Sequence, residues 1–146
     1  MAKSAPRIPI STILIYKVAK GIKRLYRAKK VYLVGSRLRH KYGRDLDFTA
    51  EVDGSLAGRN VTFKVGQLSV NVFFASHEDI EATTLEFSLG LDSIRWKRKA
   101  RSMGLVLNRY GLWYKGTRVT AKAKEIAAVL GMQLKPFVMA TLENPL

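Results

Sequence analysis

Two aspartates separated by one residue, Asp45 and Asp47, are the side chains in this sequence best suited to chemistry. They lie in the segment Asp45-Leu46-Asp47-Phe48, whose alternation predicts a β-strand. Side chains alternate between the two faces of a strand, so both carboxylates would point to the same face. Like charges this close destabilise each other unless a cation lies between them, and oxygen ligands favour Mg²⁺ or Mn²⁺. The pair therefore predicts a divalent-metal site.

A glycine and a serine, Gly35 and Ser36, follow the apolar strand predicted over 31–34. A turn here would present backbone N–H groups and a hydroxyl at one point in space. Several basic residues come next, namely Arg37, Arg39, His40, Lys41 and Arg44. Alone, Gly-Ser is usually a turn and Asp-x-Asp a solvated strand edge, but together, between two strand patterns, they predict a phosphate-binding loop beside a metal site.

The combination resembles the nucleotidyltransferase signature of the DNA polymerase beta superfamily. By this resemblance Gly35, Ser36 and Arg39 bind the incoming triphosphate. The same resemblance makes Asp45 and Asp47 ligands of two Mg²⁺ ions, with Mn²⁺ as the other possible metal.

The third carboxylate of that family falls, by the resemblance, on Asn71. An amide oxygen binds a metal weakly, brings no negative charge and cannot take a proton from a 3′-hydroxyl. Either the natural enzyme works without this base, or an Asp→Asn change has inactivated the chain. Asn71 could also simply satisfy a hydrogen bond within its strand. Glu51 shares the face of the two aspartates but is expected to lie too far from the metals to substitute.

The rest of the chain predicts the elements that position these residues. A helix with apolar residues at helical spacing begins near Pro9, and two strands over 61–65 and 68–74 form a hairpin around Gly66 and Gln67. An acidic segment follows over 77–86, which is expected to be a short helix or a connector between lobes, and then a helix over 91–104. A strand, a turn and a second strand are expected over 105–119, followed by a helix over 121–130 and a tail containing Pro136.

The helix over 91–104 is strongly basic and is predicted to face template or primer phosphates. Its basic residues are Arg95, Lys97, Arg98, Lys99 and Arg101. Trp96, in the same helix, fits either a core position or a base-stacking role. The sequence from this helix through 107–112 to 129–132 resembles the thumb of family X DNA polymerases, which implies DNA contacts by Asn108 and Arg109. Phe87 matches, by resemblance, a residue that contacts the sugar, and a core aromatic is the other interpretation.

The charge balance agrees with a polyanionic partner. The chain of 146 residues carries 26 Lys and Arg against 11 Asp and Glu, a net charge of +15. Such a charge is the footprint of a protein that binds a phosphate backbone, although a ribosomal-type protein would share it. The basic face of the first helix could also lie near DNA; it carries Lys17, Lys20, Lys23, Arg24 and Arg27.

There is no cysteine, and we expect an intracellular protein with no signal peptide or membrane segment.

These observations predict an α+β protein with a nucleotidyltransferase palm over 1–85 and a small DNA-binding thumb over 86–146. The resemblance implies a monomeric family X DNA polymerase that acts in DNA repair. It would add deoxynucleotides from nucleoside triphosphates to a primer 3′-hydroxyl in gapped or nicked DNA, by two-metal phosphoryl transfer. The alternatives are a non-catalytic DNA-binding relative and an untemplated nucleotidyltransferase.

Overall fold

The computed structural model describes residues 8–9, 11–35 and 42–146. Its helices are α1 (Thr12–Tyr26), α2 (Ile80–Leu89), α3 (Ser93–Ser102), α4 (Ala123–Leu130) and α5 (Pro136–Glu143). Its strands are β1 (Ile8–Pro9), β2 (Lys30–Val34), β3 (Tyr42–Gly43), β4 (Asp45–Glu51), β5 (Asn60–Val65), β6 (Leu68–Ala75), β7 (Val106–Asn108), β8 (Gly111–Tyr114) and β9 (Thr117–Thr120). The predicted α+β class is confirmed.

A four-stranded mixed sheet with the order β2-β4-β6-β5 forms the first part of the chain. Strands β4 and β6 are parallel, and the other neighbours are antiparallel. The predicted hairpin is confirmed, because Val65 pairs with Leu68 across a two-residue turn. That turn fixes the register of every pair further along the hairpin.

Helix α1 covers one face of this sheet. Its apolar residues Ile15, Val18 and Ile22 are buried at helical spacing, and they pack in one cluster with Leu46 and Phe48 of β4. The helix begins where Ser11 accepts a hydrogen bond from the backbone N–H of Leu14 at 3.1 Å. The apolar face of β4 therefore points to α1, and Asp45 and Asp47 lie on the opposite face of the strand.

Helix α2 packs on the opposite face, the one that carries the two aspartates. A buried hydrogen bond of 2.7 Å joins the hydroxyls of Thr84 in α2 and Thr49 in β4. The helix thus covers the far half of β4, where Thr49 and Glu51 are buried, and leaves Asp45 exposed. This packing creates a sheet face with one closed end and one open end.

The second part of the chain has a core of its own, formed by α2, α3, α4, α5 and β8. Its large buried side chains are Leu85, Trp96, Leu112, Ile126 and Val138. Helix α2 contributes to this core. The predicted boundary between palm and thumb, at residues 85 and 86, falls within this helix, and the division into palm and thumb remains a prediction. Trp96 is fully buried, so the core interpretation of this residue is correct.

Two sequence predictions in this part were wrong. The segment 105–119 forms three antiparallel strands, β7-β8-β9, rather than two. A first turn lies between Asn108 and Gly111, and a second at Lys115 and Gly116, whose φ values of 46° and 79° suit a tight hairpin turn. The tail after Pro136 is also helical, because proline is favoured in the first turn of a helix and Val138 is buried against the core.

Within the described residues, no helix is both long and apolar enough to cross a membrane.

Candidate active site

The open end of the main sheet carries the predicted metal ligands. Asp45 and Asp47 lie at the start of β4 on the same face, and the residues between and after them, Leu46 and Phe48, are fully buried on the other. Asp45 is exposed and Asp47 is half-buried. The strand alternation predicted from the sequence is therefore present.

Asn71 lies beside Asp47 in the parallel pairing of β6 with β4. Its side-chain Nδ2 donates a hydrogen bond of 2.7 Å to Oδ1 of Asp47. The sheet register thus brings Asn71 to the aspartate pair, where the resemblance expects a third carboxylate. Asn71 presents a hydrogen-bond donor to Asp47.

Burial raises the pKa of the Asp47 carboxyl above its ordinary value and is the largest influence on it. The hydrogen bond from Asn71 lowers that pKa, and the negative charge of Asp45 raises it. The ionised pair is therefore disfavoured at this position, and a bound cation would relieve both the desolvation and the repulsion.

Gly35 brings the end of β2 against Asp47. Its φ of 79° lies in the left-handed region, and a Cβ at this position would come within 3.0 Å of the Asp47 Cβ and collide with the carboxylate. Only glycine allows the backbone to approach the metal-ligand candidate this closely. Ser36 and Arg39, the other two predicted triphosphate ligands, lie outside the described residues.

Thr62 is a site residue that sequence reasoning missed. It lies opposite Asn71 in the β5–β6 hairpin, and its hydroxyl donates to Oδ1 of Asn71 at 2.8 Å. The signal was present in the sequence, because a two-residue turn at Gly66 and Gln67 pairs Thr62 with Asn71.

Phe87 lies against the same sheet face. Its ring stacks on that of Phe73, with a centroid distance of 4.0 Å and an interplanar angle of 15°. Phe73 follows Asn71 by two residues in β6, so the aromatic pair continues the face that carries the candidate site. The sugar contact of Phe87 remains a prediction.

Glu51 also points to this face but lies at its closed end. It is four residues after Asp47, a separation of about 13 Å along a strand. Its side chain is 4% exposed, and Oε2 lies 3.3 Å from Nδ1 of His77. This separation agrees with the expectation that Glu51 is too distant to bind the same metals, which remains a prediction.

Helix α3 carries the predicted phosphate-binding residues, and they fall into two groups. Arg95 is paired with Asp92 at 2.9 Å, and Lys97 with Glu86 at 2.7 Å. The other three are exposed and have no carboxylate partner among the described residues: Arg98, Lys99 and Arg101. The second group is better placed to contact a polyanion.

Asn108 and Arg109 lie at the turn between β7 and β8. The Asn108 side-chain oxygen accepts hydrogen bonds from the backbone N–H of Tyr110 at 2.9 Å and from Nε1 of Trp113 at 3.1 Å. The Arg109 guanidinium lies 5.5 Å from the centre of the Tyr110 ring. Asn108 therefore stabilises the turn, and a DNA contact by either residue remains a prediction.

Asp45 and Asp47 would supply only some of the ligands that a metal ion needs, so a bound substrate would supply others. Asp45 and Asp47 offer carboxylate oxygens of the kind that Mg²⁺ prefers. In the part of the chain that the structure describes, no group of three or more acidic, histidine or cysteine side chains could hold a metal ion. The two aspartates therefore fit a metal whose remaining ligands come from water and phosphate oxygens.

No family model matches this sequence, and no curated protein matches it. Among solved structures, 226 chains match. One is the ternary P/T complex of polymerase beta from Leishmania infantum, with a TM-score of 0.70 and 15% sequence identity, over 91% of this chain and 76% of that chain. The chain has a polymerase beta-like fold. At 15% identity the comparison establishes the fold alone.

Proposed function

We propose that this chain is a family X-type DNA polymerase that acts as a monomer. It adds deoxynucleotides to a primer 3′-hydroxyl in gapped or nicked DNA, with chemistry slowed by Asn71. The observation that carries the proposal is the placement of Asp45 and Asp47 on the open end of the sheet face, beside Gly35 and Asn71, within a polymerase beta-like fold.

In this proposal Asp45 and Asp47 hold two Mg²⁺ ions, or Mn²⁺ in their place. When bound, the ions would lower the pKa of the primer hydroxyl and neutralise charge on the triphosphate. Gly35, Ser36 and Arg39 position the triphosphate through backbone N–H groups, a hydroxyl and a guanidinium. The Asn71 amide cannot accept the proton of the 3′-hydroxyl, so a general base is missing. The absence of such a base lowers rates by about 10²–10⁴-fold.

The proposed DNA contacts lie on the thumb over 86–146. The exposed cations of α3, Arg98, Lys99 and Arg101, bind template or primer phosphates and position the duplex without reading its sequence. Arg95, Lys97, Asn108 and Arg109 border this surface, and Phe87 contacts the sugar of the incoming nucleotide. The basic face of α1 provides a second phosphate contact, because Lys17, Lys20, Arg24 and Arg27 are exposed.

A gap-filling assay tests the proposal. This chain and its Asn71→Asp variant would be incubated with one-nucleotide-gapped DNA, Mg²⁺ and each of the four deoxynucleoside triphosphates. We expect slow or no extension by the present chain and template-directed extension by the variant. An Asp47→Asn/Asn71→Asp double variant is the matched control and should stay inactive. Equal, negligible extension by Asn71→Asp and its control would reject the proposal.

A non-catalytic DNA-binding role is the second candidate, and the hydrogen bond between Asn71 and Asp47 favours it. An amide proton already lies against one carboxylate oxygen of Asp47, which leaves fewer oxygens for a catalytic ion. Retention of both aspartates counts against this role, because unpaired carboxylates weaken binding to a polyanion. Tight DNA binding without extension, in both the present chain and Asn71→Asp, would favour it.

An untemplated nucleotidyltransferase is the third candidate. Extension of a single-stranded primer, with no preference for the nucleotide opposite a template base, would identify it. Extension that requires the gapped duplex would identify the polymerase.

A further inference from the structure

Three polar side chains form one row across three neighbouring strands. Asp47, Asn71 and Thr62 occupy paired positions in β4, β6 and β5. The Thr62 hydroxyl donates to Oδ1 of Asn71 at 2.8 Å, and Nδ2 of Asn71 donates to Oδ1 of Asp47 at 2.7 Å. The row is a directional chain of hydrogen bonds that ends on a proposed metal ligand.

The direction of this chain follows from the chemistry of its members. If the Asn71 amide were rotated by half a turn, its oxygen would face Oδ1 of Asp47 at about the same distance. Two acceptor oxygens cannot share a hydrogen bond, and the Asp47 carboxylate is partly desolvated, so the contact would be repulsive. The observed orientation satisfies Asp47, both ends of the amide and the Thr62 hydroxyl together.

We propose that Thr62 is a positioning residue that holds the Asn71 amide against Asp47, in the orientation that the acceptor-only Asp47 carboxylate selects. Asn71 thereby acts as a hydrogen-bond donor to the proposed metal ligand and does not itself bind the metal. The consequence for catalysis rests on the proposed function, whereas the amide orientation does not.

The same hydroxyl acquires a second role when a carboxylate replaces the amide. In Asn71→Asp the Thr62 hydroxyl would donate to the outer carboxylate oxygen, since a threonine hydroxyl suits either acceptor. The inner oxygen would then face Asp47, and the two carboxylates would share a cation. Thr62 therefore positions whichever side chain stands at residue 71.

Nuclear magnetic resonance of the Asn71 side-chain amide tests the orientation directly. Its ¹H–¹⁵N signals are identified by their disappearance in Asn71→Asp. In the metal-free protein we expect one amide proton to be shifted downfield and protected from solvent exchange. Thr62→Val should accelerate that exchange about fivefold, as expected for loss of one neutral hydrogen bond. Thr62→Ser should retain the protection.

Two controls separate positioning from a general loss of structure. Thr117→Val removes an exposed strand threonine in the β7-β8-β9 sheet and should leave the Asn71 signals unchanged. Addition of Mg²⁺ with a non-hydrolysable nucleotide to the wild type should leave the amide N–H bonded to Asp47. Unchanged exchange in Thr62→Val, or reversal of the amide on addition of Mg²⁺ and nucleotide, would overturn the proposal.

Single-turnover kinetics supply a second readout. In the Asn71→Asp background, Thr62→Val should lower the rate of the chemical step roughly fivefold with little change in nucleotide affinity, and Thr62→Ser should restore it. A rate that is insensitive to Thr62 would refute the positioning role for the carboxylate. If Asn71→Asp extends no primer, the polymerase proposal fails, whereas the amide measurements still decide the orientation.

Discussion

At the scale of single residues, Asp45 and Asp47 carry the proposed metal site. We expect Asp45→Asn and Asp47→Asn each to abolish binding of Mg²⁺ with a non-hydrolysable nucleotide, because each change removes a charged ligand. Both variants should remain folded, since they also relieve the repulsion within the pair. Isothermal titration calorimetry measures the binding and circular dichroism the fold. Asp53→Asn, which alters an exposed carboxylate paired with Lys29, is the control. Undiminished metal binding in either site variant would remove the assignment.

The raised pKa of Asp47 predicts how stability depends on pH. Its pKa is higher in the folded than in the unfolded protein, so the wild type loses stability as pH rises through the folded-state value. Asp47→Asn cannot ionise and avoids this loss. In buffer with a chelator, we expect the variant to be more stable than the wild type at pH 7, with a gap that shrinks toward pH 4. Urea unfolding at several pH values measures this. A gap that widened toward pH 4 would contradict the pKa direction.

Gly35 is constrained by both its backbone angle and its contact with Asp47. Gly35→Ala and Gly116→Ala make the same change at the same φ of 79°, but the Gly116 position has no atom within 4 Å of an added Cβ. Gly116→Ala should therefore cost about 1–2 kcal/mol of unfolding free energy, from the angle alone. Gly35→Ala should cost more and should also weaken Mg²⁺ binding, because it displaces Asp47. Equal costs and intact metal binding would show that the close approach is unimportant.

At the scale of elements, helix α3 offers an internal comparison. Arg95 and Arg98 lie three residues apart and lose the same charge on mutation, but Arg95 is paired with Asp92. Arg98→Ala should reduce the slope of log affinity for DNA against log salt by up to about 0.9, as expected for one lost phosphate contact. Arg95→Ala should reduce it less. Fluorescence anisotropy across a salt series measures both slopes. A larger effect for Arg95 would reverse the assignment of the two groups.

At the scale of the whole molecule, the net charge of +15 predicts a strong dependence of DNA binding on salt. A protein that makes six to ten phosphate contacts loses about 10³–10⁵-fold in affinity between 50 and 200 mM salt. We expect a decrease of this order for gapped DNA, measured by fluorescence anisotropy. An affinity that stays constant across this range would argue against a binding surface made of basic helices.

The sequence by itself determined the features that follow from local periodicity and turn chemistry. Strand alternation placed Asp45 and Asp47 on one face, because successive side chains point in opposite directions. Ser11 began α1 as a helix cap, and the turn at Gly66 and Gln67 fixed the register of the hairpin. That register also pairs Thr62 with Asn71, although the sequence analysis did not predict Thr62 as a site residue.

The tertiary structure decided what depends on contacts between distant segments. The parallel pairing of β4 with β6 brings Asn71 against Asp47, and strand order of this kind is not encoded in any single segment. The packing of α2 closes one end of the sheet face and buries Glu51 there. At the other end, Asp47 is half-buried in the assembled sheet, and this burial raises the pKa of its carboxyl. The helical tail after Pro136 was missed for the same reason, because its stability comes from burial of Val138 in a shared core, which short-range patterns do not report. The third strand of the β7-β8-β9 sheet is different: Thr117, Arg118 and Val119 are exposed, and the local turn at Lys115 and Gly116 pairs this strand with β8.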